Sequence, residues 1–154
     1  MAYFKSGVTT VRVSQKKEKE MRVKLDEGAF EVVHAHEDDA GYDLRTPYDF
    51  TIYDNKVIDT GVHMEIPKGY VGFLKSKSGL NVKHSLTGEG VIDSGYTGSI
   101  VVKLYNNSEE PHKFNKGDKI IQIVLLPVYT PDIEYVDELD DTERGNQGFG
   151  SSGK

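Results

Sequence analysis

A chain of 154 residues holds one domain with a real core, and 36% apolar with 29% charged residues makes it globular rather than disordered. It has no cysteine, which excludes disulfides, thiolate metal sites and thiol chemistry. A net charge of −6 argues against a general grip on nucleic-acid backbone, so an anionic ligand has to be small and met by local cations.

Residues 1–21 carry the dense mixed-charge run Gln15-Lys-Lys-Glu-Lys-Glu20 and read as a solvated extension. Met1 to Ser14 show neither a continuous apolar core nor a small-residue cleavage site, so no secretory signal is expected. From Arg22 the texture is strand and turn. Phe30–Val33, Phe50–Tyr53, Lys56–Ile58 and Gly69–Leu74 are short runs rich in β-branched and aromatic residues, each read as a strand. Helical periodicity is poor, and the best helix is a short piece around Ser78 to His84. In the strand expected at Ser99–Tyr105, Ile100, Val102 and Leu104 share one face, while Val101, Lys103 and Tyr105 share the other. Ile120–Leu126 is nearly all apolar, as in a strand covered on both faces. The apolar stretch to Val128 is broken by Gln122 and Pro127 and falls short of the roughly 20 residues of a membrane span. An intracellular, cytoplasmic protein is expected. Turn signals at Tyr53-Asp-Asn55, Pro67-Lys-Gly69, Asn106-Asn-Ser-Glu-Glu-Pro111 and Lys116-Gly-Asp118 separate the runs. The expected fold is an all-β sandwich, barrel or jelly roll over residues 22–143, followed by a tail at 144–154.

Among candidate sites, His34 and His36 share a strand face but make weak metal evidence and read as surface histidines. Gly148-Phe-Gly-Ser-Ser-Gly153-Lys154 has most of a P-loop pattern but not the hydroxyl residue and helix that the pattern requires. Gly88-Glu-Gly-Val-Ile-Asp-Ser-Gly-Tyr-Thr-Gly98 says more. Its glycines admit close approach of a ligand, Asp93 is placed to activate water, and Tyr96 is placed to pack a sugar or base. An ordinary hairpin with a turn Asp fits the same spacing. The tail from Arg144 has four glycines, with Arg144 and Phe149 as its anchors. It is either a frayed terminus or an arm that orders over an anionic, aromatic ligand.

Five segments in order resemble the motifs of the homotrimeric-type dUTPases: Ala40-Gly-Tyr-Asp-Leu44, Ser76-Lys-Ser-Gly-Leu80, Gly90-Val-Ile-Asp-Ser-Gly-Tyr-Thr-Gly98, Lys116-Gly-Asp-Lys-Ile-Ile-Gln122 and Arg144-Gly-Asn-Gln-Gly-Phe-Gly-Ser-Ser-Gly153. The resemblance covers about residues 22–154 and implies a jelly-roll-like, β-clip fold with a flexible glycine-rich C-terminal arm. It further implies a homotrimer whose sites are shared between subunits. The implied reaction is hydrolysis of dUTP to dUMP and pyrophosphate, with Mg2+ on the triphosphate. This activity limits uracil incorporation into DNA and supplies dUMP for thymidylate synthesis.

By motif position, Asp93 is the implied general base, and Gln122 contacts phosphate or the attacking water. Tyr96 lies under the deoxyribose and excludes a 2′-hydroxyl. Gly88, Gly90, Val91 and Ile92 form the uracil slot, too tight for a 5-methyl group. Lys77, Ser78 and Gly79 hold phosphate. In the arm, Phe149 covers the uracil, Arg144, Ser151 and Ser152 hold the terminal phosphate, and Gly150 is a further substrate-binding position. Asp43 either orients water around the metal or braces a subunit interface. The chain departs from the family in having Lys77 for a usual Arg, Ser76 for a frequent Pro and Gly95 for a frequent Asp; Lys keeps the charge but not the fork geometry. A dCTP deaminase of the same fold would need a Glu-centred site and would usually lack the arm, so Asp93 and the fifth motif count against it. A regulatory role, in which a dUTPase-like trimer engages a protein partner, is the alternative from another class.

Overall fold

The computed structural model describes residues 20–146. Among these, ten strands and one helix follow in order: β1 (Val23–Leu25), β2 (Gly41–Arg45), β3 (Phe50–Ile52), β4 (Asn55–Asp59), β5 (Val62–Met64), β6 (Tyr70–Lys75), α1 (Ser78–His84), β7 (Leu86–Ile92), β8 (Val101–Asn106), β9 (His112–Phe114) and β10 (Lys119–Pro127). The architecture is the expected all-β one. A curled six-stranded sheet runs β2-β10-β6-β7-β8-β4, with the pairs β1-β5 and β3-β9 beside it. Every pairing is antiparallel.

β10 sits between β2 and β6, which is why its sequence is apolar almost throughout. The register against β2 slips between Lys119 and Ile121, leaving Ile120 as the extra residue of a bulge. Ile120 and Ile121 are consequently both buried in sequence, although strict alternation would expose one of them. The bulge also turns Lys119 and Gln122, three residues apart, toward the same face, away from the core.

The core is built from Leu44, Ile52, Ile58, Leu74, Leu86, Phe114, Ile121 and their neighbours on the inner faces, and Met21 already packs against it. β8 alternates as its sequence predicts, with Val102 and Leu104 buried and Val101, Lys103 and Tyr105 exposed. The helix forms at Ser78–His84 as expected. It ends at Ser85, which adopts a left-handed conformation (φ 55°) and donates its N–H to Asn81, with Lys83 and His84 in the last turn suiting the helix dipole.

One expected strand fails. Phe30–Val33 contributes only an isolated bridge from Val33 to Asp43. His34 therefore leaves the expected strand and stacks half-buried on Tyr42, with ring centroids 3.9 Å apart. No helix among the described residues is long and apolar enough to cross a membrane.

Candidate active site

A row of paired residues crosses the sheet at one level: Asp43 on β2, Gln122 on β10, Lys75 on β6 and Glu89 on β7. Directly paired residues of an antiparallel sheet project to one face. Leu44 and Ile121, next in line, take the core face. Lys75 and Glu89 close an ion pair of 2.7 Å.

Asp43 is buried, 3% exposed, and its two carboxylate oxygens are shared out. Lys77, just past β6, pairs with Oδ1, and Lys119 pairs with Oδ2 at 2.6 Å. Burial by itself would push the Asp43 carboxyl up. The hydrogen bonds and charges of Lys119 and Lys77 outweigh it and hold the group below its ordinary value. The corner keeps one positive charge in excess, on ammonium groups that are partly open to solvent. Gln122 donates from Nε2 to the Ser76 carbonyl at 3.2 Å. Its Oε1 lies over Gly41, where a Cβ would come within 2.3 Å, so Gly41 is the residue that gives Gln122 its place. Ser78 and Gly79 follow Lys77 at the start of α1, both exposed, and no atom lies within 4 Å of where a Gly79 Cβ would stand. Packing does not demand glycine there.

β7 has two halves. Leu86–Gly88 pairs with β8, and Glu89–Ile92 pairs with β6. Past Gly88 strand β8 diverges, so the β8-side edge of Glu89–Ile92 has no strand against it among the described residues. Unpaired edge amides and carbonyls are ready to read a planar hydrogen-bonding ligand. Gly88 differs: the Ser76 hydroxyl accepts from its N–H at 2.9 Å and donates to its carbonyl at 3.2 Å. A Cβ at Gly88 would strike Leu104, Ile121 and the Lys103 carbonyl, so this glycine is a packing requirement. Val91 is 58% exposed on the open stretch.

Asp93 follows β7 and is exposed. Its carbonyl accepts from the Tyr96 N–H at 3.0 Å, closing a turn. The Tyr96 hydroxyl donates to the Ser99 carbonyl at 2.8 Å, and its ring lies over Gly98, where a Cβ would come within 2.5 Å of the hydroxyl. Tyr96 is thus a pinned, half-exposed plate in the turn that begins at Asp93. Asp93 lies four residues beyond the Glu89 row, about 13 Å along the strand direction. The structure brings Asp43, Lys77 and Gln122 together at one level, and Asp93, Tyr96 and the Gly90–Ile92 edge together at another.

Beyond β10 the chain runs exposed. Tyr129, Ile133, Tyr135 and Leu139 are 77–94% exposed, an apolar series with no cover from the described part of the chain. Arg144 lies at its end, exposed. Phe149, Gly150, Ser151 and Ser152 fall outside the described residues, as does the extension up to residue 19.

Two residues of the corner escaped the sequence reading. Lys119 was visible within the fourth motif, but only the bulge at Ile120 turns it toward Asp43. Ser76 stands out in the sequence only as a departure from the family pattern, because its hydroxyl bridge to Gly88 depends on the β6–β7 pairing. Among the described residues no three His, Cys, Asp or Glu side chains converge on a metal position. Both Asp43 oxygens are taken by the two lysines, so among the described residues Asp43 offers no free carboxylate to a metal ion.

The described residues thus hold a cationic corner, an open strand edge, and an exposed carboxylate at the start of a turn that carries an aromatic plate. The dUTPase family model matches residues 31–153, and the chain belongs to the dUTPase family. It is 44% identical over 118 residues to deoxyuridine 5'-triphosphate nucleotidohydrolase of Mus musculus, covering 75% of this chain and 73% of that protein. A Gly-to-Ser mutant of the Staphylococcus bacteriophage 80alpha dUTPase with dUpNHpp superposes with a TM-score of 0.78 at 32% identity, over 88% of this chain and 99% of the phage chain. Phage dUTPases of this kind control transfer of virulence genes by a proto-oncogenic G protein-like mechanism. An Asp-to-Asn mutant of the dUTPase from phage phi11 of S. aureus, a structure that shows the coordination of a structural Mg(II) ion, matches with a TM-score of 0.72 at 31% identity over 78% of this chain and 98% of its own.

Proposed function

We propose that this chain hydrolyses dUTP to dUMP and pyrophosphate in sites shared between the subunits of a homotrimer. The observation that carries the reading is Asp93, exposed at the end of an open strand edge and next to the pinned ring of Tyr96. The edge at Gly90–Ile92 reads uracil, Tyr96 underlies the deoxyribose, and Asp93 takes a proton from water. That water attacks phosphorus, the α–β phosphoanhydride bond breaks, and pyrophosphate leaves with the bonding pair. Lys77, Lys119, Ser78, Gly79 and Gln122 suit a triphosphate, with Asp43 holding the two ammonium groups in place. Mg2+ enters as part of the substrate, Mg·dUTP. The separation of about 13 Å along β7 between Asp93 and the level of the cationic corner supports a site completed by another subunit. The exposed apolar series from Tyr129 to Leu139 suits a segment that lies on a neighbour and carries Arg144, Phe149, Gly150, Ser151 and Ser152 to that neighbour's nucleotide.

Product analysis with Mg2+ tests the reading against its alternatives. dUMP and pyrophosphate from dUTP, with weak turnover of UTP and dTTP, is the expected result. Ammonia and dUTP from dCTP would make the chain a deaminase. Tight nucleotide binding without turnover would leave the regulatory role.

A further inference from the structure

His63 lies outside the motifs, yet it touches the segment that carries the reacting groups. It sits mid-strand in β5, where Val62 and Met64 face the core and alternation sends the imidazole the other way. Two acceptors hold the ring. The Thr97 carbonyl lies 2.8 Å from Nδ1 and an Asp26 carboxylate oxygen lies 3.0 Å from Nε2. A neutral imidazole has one N–H, so one of these contacts would set a lone pair against a lone pair. The imidazolium donates to both.

Thr97 directly follows Tyr96 in the turn that begins at Asp93. The far end of that turn is tied by the Ser99 hydroxyl to Asp59 and by the Ile100 N–H to the Val62 carbonyl at 2.8 Å. His63 supplies the tie next to Tyr96 itself. We infer that His63, as an imidazolium bridging Asp26 and the Thr97 carbonyl, is a positioning residue that fixes the Asp93–Tyr96 turn in its sugar-selecting shape. This rests on the reading of Tyr96 as the deoxyribose plate.

The charged groups facing the ring come from β1, from the residues that flank it, and from Glu65 just past β5. Asp26 favours the cation, Lys24, itself paired to Asp26 at 3.3 Å, opposes it, and the Arg22–Glu65 pair flanks the same groove. The 93–99 turn contributes the Thr97 carbonyl. In sum these contacts raise the His63 pKa, the Asp26 hydrogen bond first and the Thr97 carbonyl second. The bridge is therefore complete below the elevated value while Asp26 is ionised, and one arm is lost as pH rises through that value. Tyr96 then loses a support, and discrimination between deoxyribose and ribose weakens.

The test combines a spectroscopic and a kinetic readout on the full chain. In 15N-edited NMR, His63 should be doubly protonated below its midpoint, and that midpoint should lie above the ordinary histidine value. Asp26→Asn should lower that midpoint. The kcat/KM ratio of dUTP over UTP should fall roughly two- to tenfold across the His63 titration, the scale of one hydrogen bond. Asp26→Asn should move this break to lower pH together with the NMR midpoint, and His63→Phe should abolish the break with the ratio fixed at its low value. Ionisation of the triphosphate is common to all variants and cannot follow the Asp26 substitution. A His63 that titrates normally, or a sugar ratio without a break at its midpoint, overturns the inference, and wild type with Asp26→Asn decides this even if His63→Phe does not fold. Tyr96→Ala separates the two readings. If it narrows the sugar ratio while the His63 and Asp26 variants do not, only the positioning role fails. If it leaves the ratio untouched, the sugar-plate reading fails first.

Discussion

Asp93→Asn keeps the shape of the turn, because the bond that closes it comes from the Asp93 backbone carbonyl and not from the carboxylate. The variant should therefore bind dUpNHpp as wild type does while losing roughly 10²–10⁴-fold in single-turnover hydrolysis, the usual worth of a general base. Near-normal single-turnover rates would show that another group takes the proton. Asp43→Asn should fail differently. It leaves Lys77 and Lys119 facing each other without the carboxylate that both now hold. Removing one partner from a buried pair costs about 3 kcal/mol at the lower end of the range, and the low end applies because both lysines can turn toward water. Urea midpoints would check it. The pH dependence has a fixed sign. The Asp43 carboxyl sits below its ordinary value, so its contribution is present above the unfolded-state pKa of about 3.9 and is lost as pH falls through the folded value. The stability gap between wild type and Asp43→Asn should be full at neutral pH and shrink on acidification below about pH 4. A gap that persists unchanged into acid would remove the charge from the argument and leave a packing effect.

At the scale of elements, the site depends on three irregularities: the bulge at Ile120, the divergence of β8 from β7 past Gly88, and the tight turn from Asp93 to Ser99. The turn gives the sharpest contrast. A Cβ at Gly98 would come within 2.5 Å of the Tyr96 hydroxyl, whereas at Gly95 no atom lies within 4 Å. Gly98→Ala should displace Tyr96 from the Ser99 carbonyl, lower kcat/KM for dUTP by roughly tenfold and narrow the dUTP-to-UTP ratio, with about 1 kcal/mol or less lost in stability for the one exposed hydrogen bond. Gly95→Ala should leave all of these unchanged. Equal effects from the two alanines would disconnect Tyr96 placement from sugar choice. These irregularities also mark where sequence reading stops. Alternation and β-branched runs made β8, β10 and most of β3, β4 and β6 legible, and the helix at Ser78–His84 fell where expected. β2 and β7 were missed as strands because Gly41, Gly88 and Gly90 lower strand propensity, and those glycines are there for Gln122, for the Leu104–Ile121 packing and for Leu74. β1, β5 and β9 are three residues each, like β3, but each carries a lysine or histidine and none has the aromatic and β-branched density of Phe50–Ile52. Phe30–Val33 had the composition of a strand but found a pairing partner only in the Val33 bridge to Asp43. The motif residues themselves were legible through their resemblance to the dUTPases. Lys119, Ser76 and His63 were not, since each acts through a contact between segments distant in sequence.

At the scale of the whole molecule, the unresolved balance is the apolar series after β10. An isolated chain would leave Tyr129, Ile133, Tyr135 and Leu139 in water, and such a series calls for a partner surface. The homotrimer proposed above would provide one to every subunit alike. If the segment lies on a neighbour, the arm that begins at Arg144 covers a nucleotide whose Asp93 belongs to another subunit. Two inactive variants separate this from an arm that serves its own chain: Asp93→Asn with the arm intact, and a chain stopped after Glu143. Each homotrimer should be inactive, one for want of a base and the other for want of the arm. In a mixed trimer with trans arms, one site pairs an intact Asp93 with a donated arm. Random assembly from equal amounts makes about three quarters of the trimers mixed, each with one live site in three, so activity should return to roughly one quarter of wild type. With arms acting in cis, every site in every mixture lacks either the base or the arm, and no activity returns. Co-refolding the two variants, confirming mixed trimers by native mass spectrometry and assaying dUTP hydrolysis decides it. Mixed trimers without recovered turnover would assign each arm to its own subunit, and the exposed apolar series would then have to fold back onto its own chain when nucleotide binds.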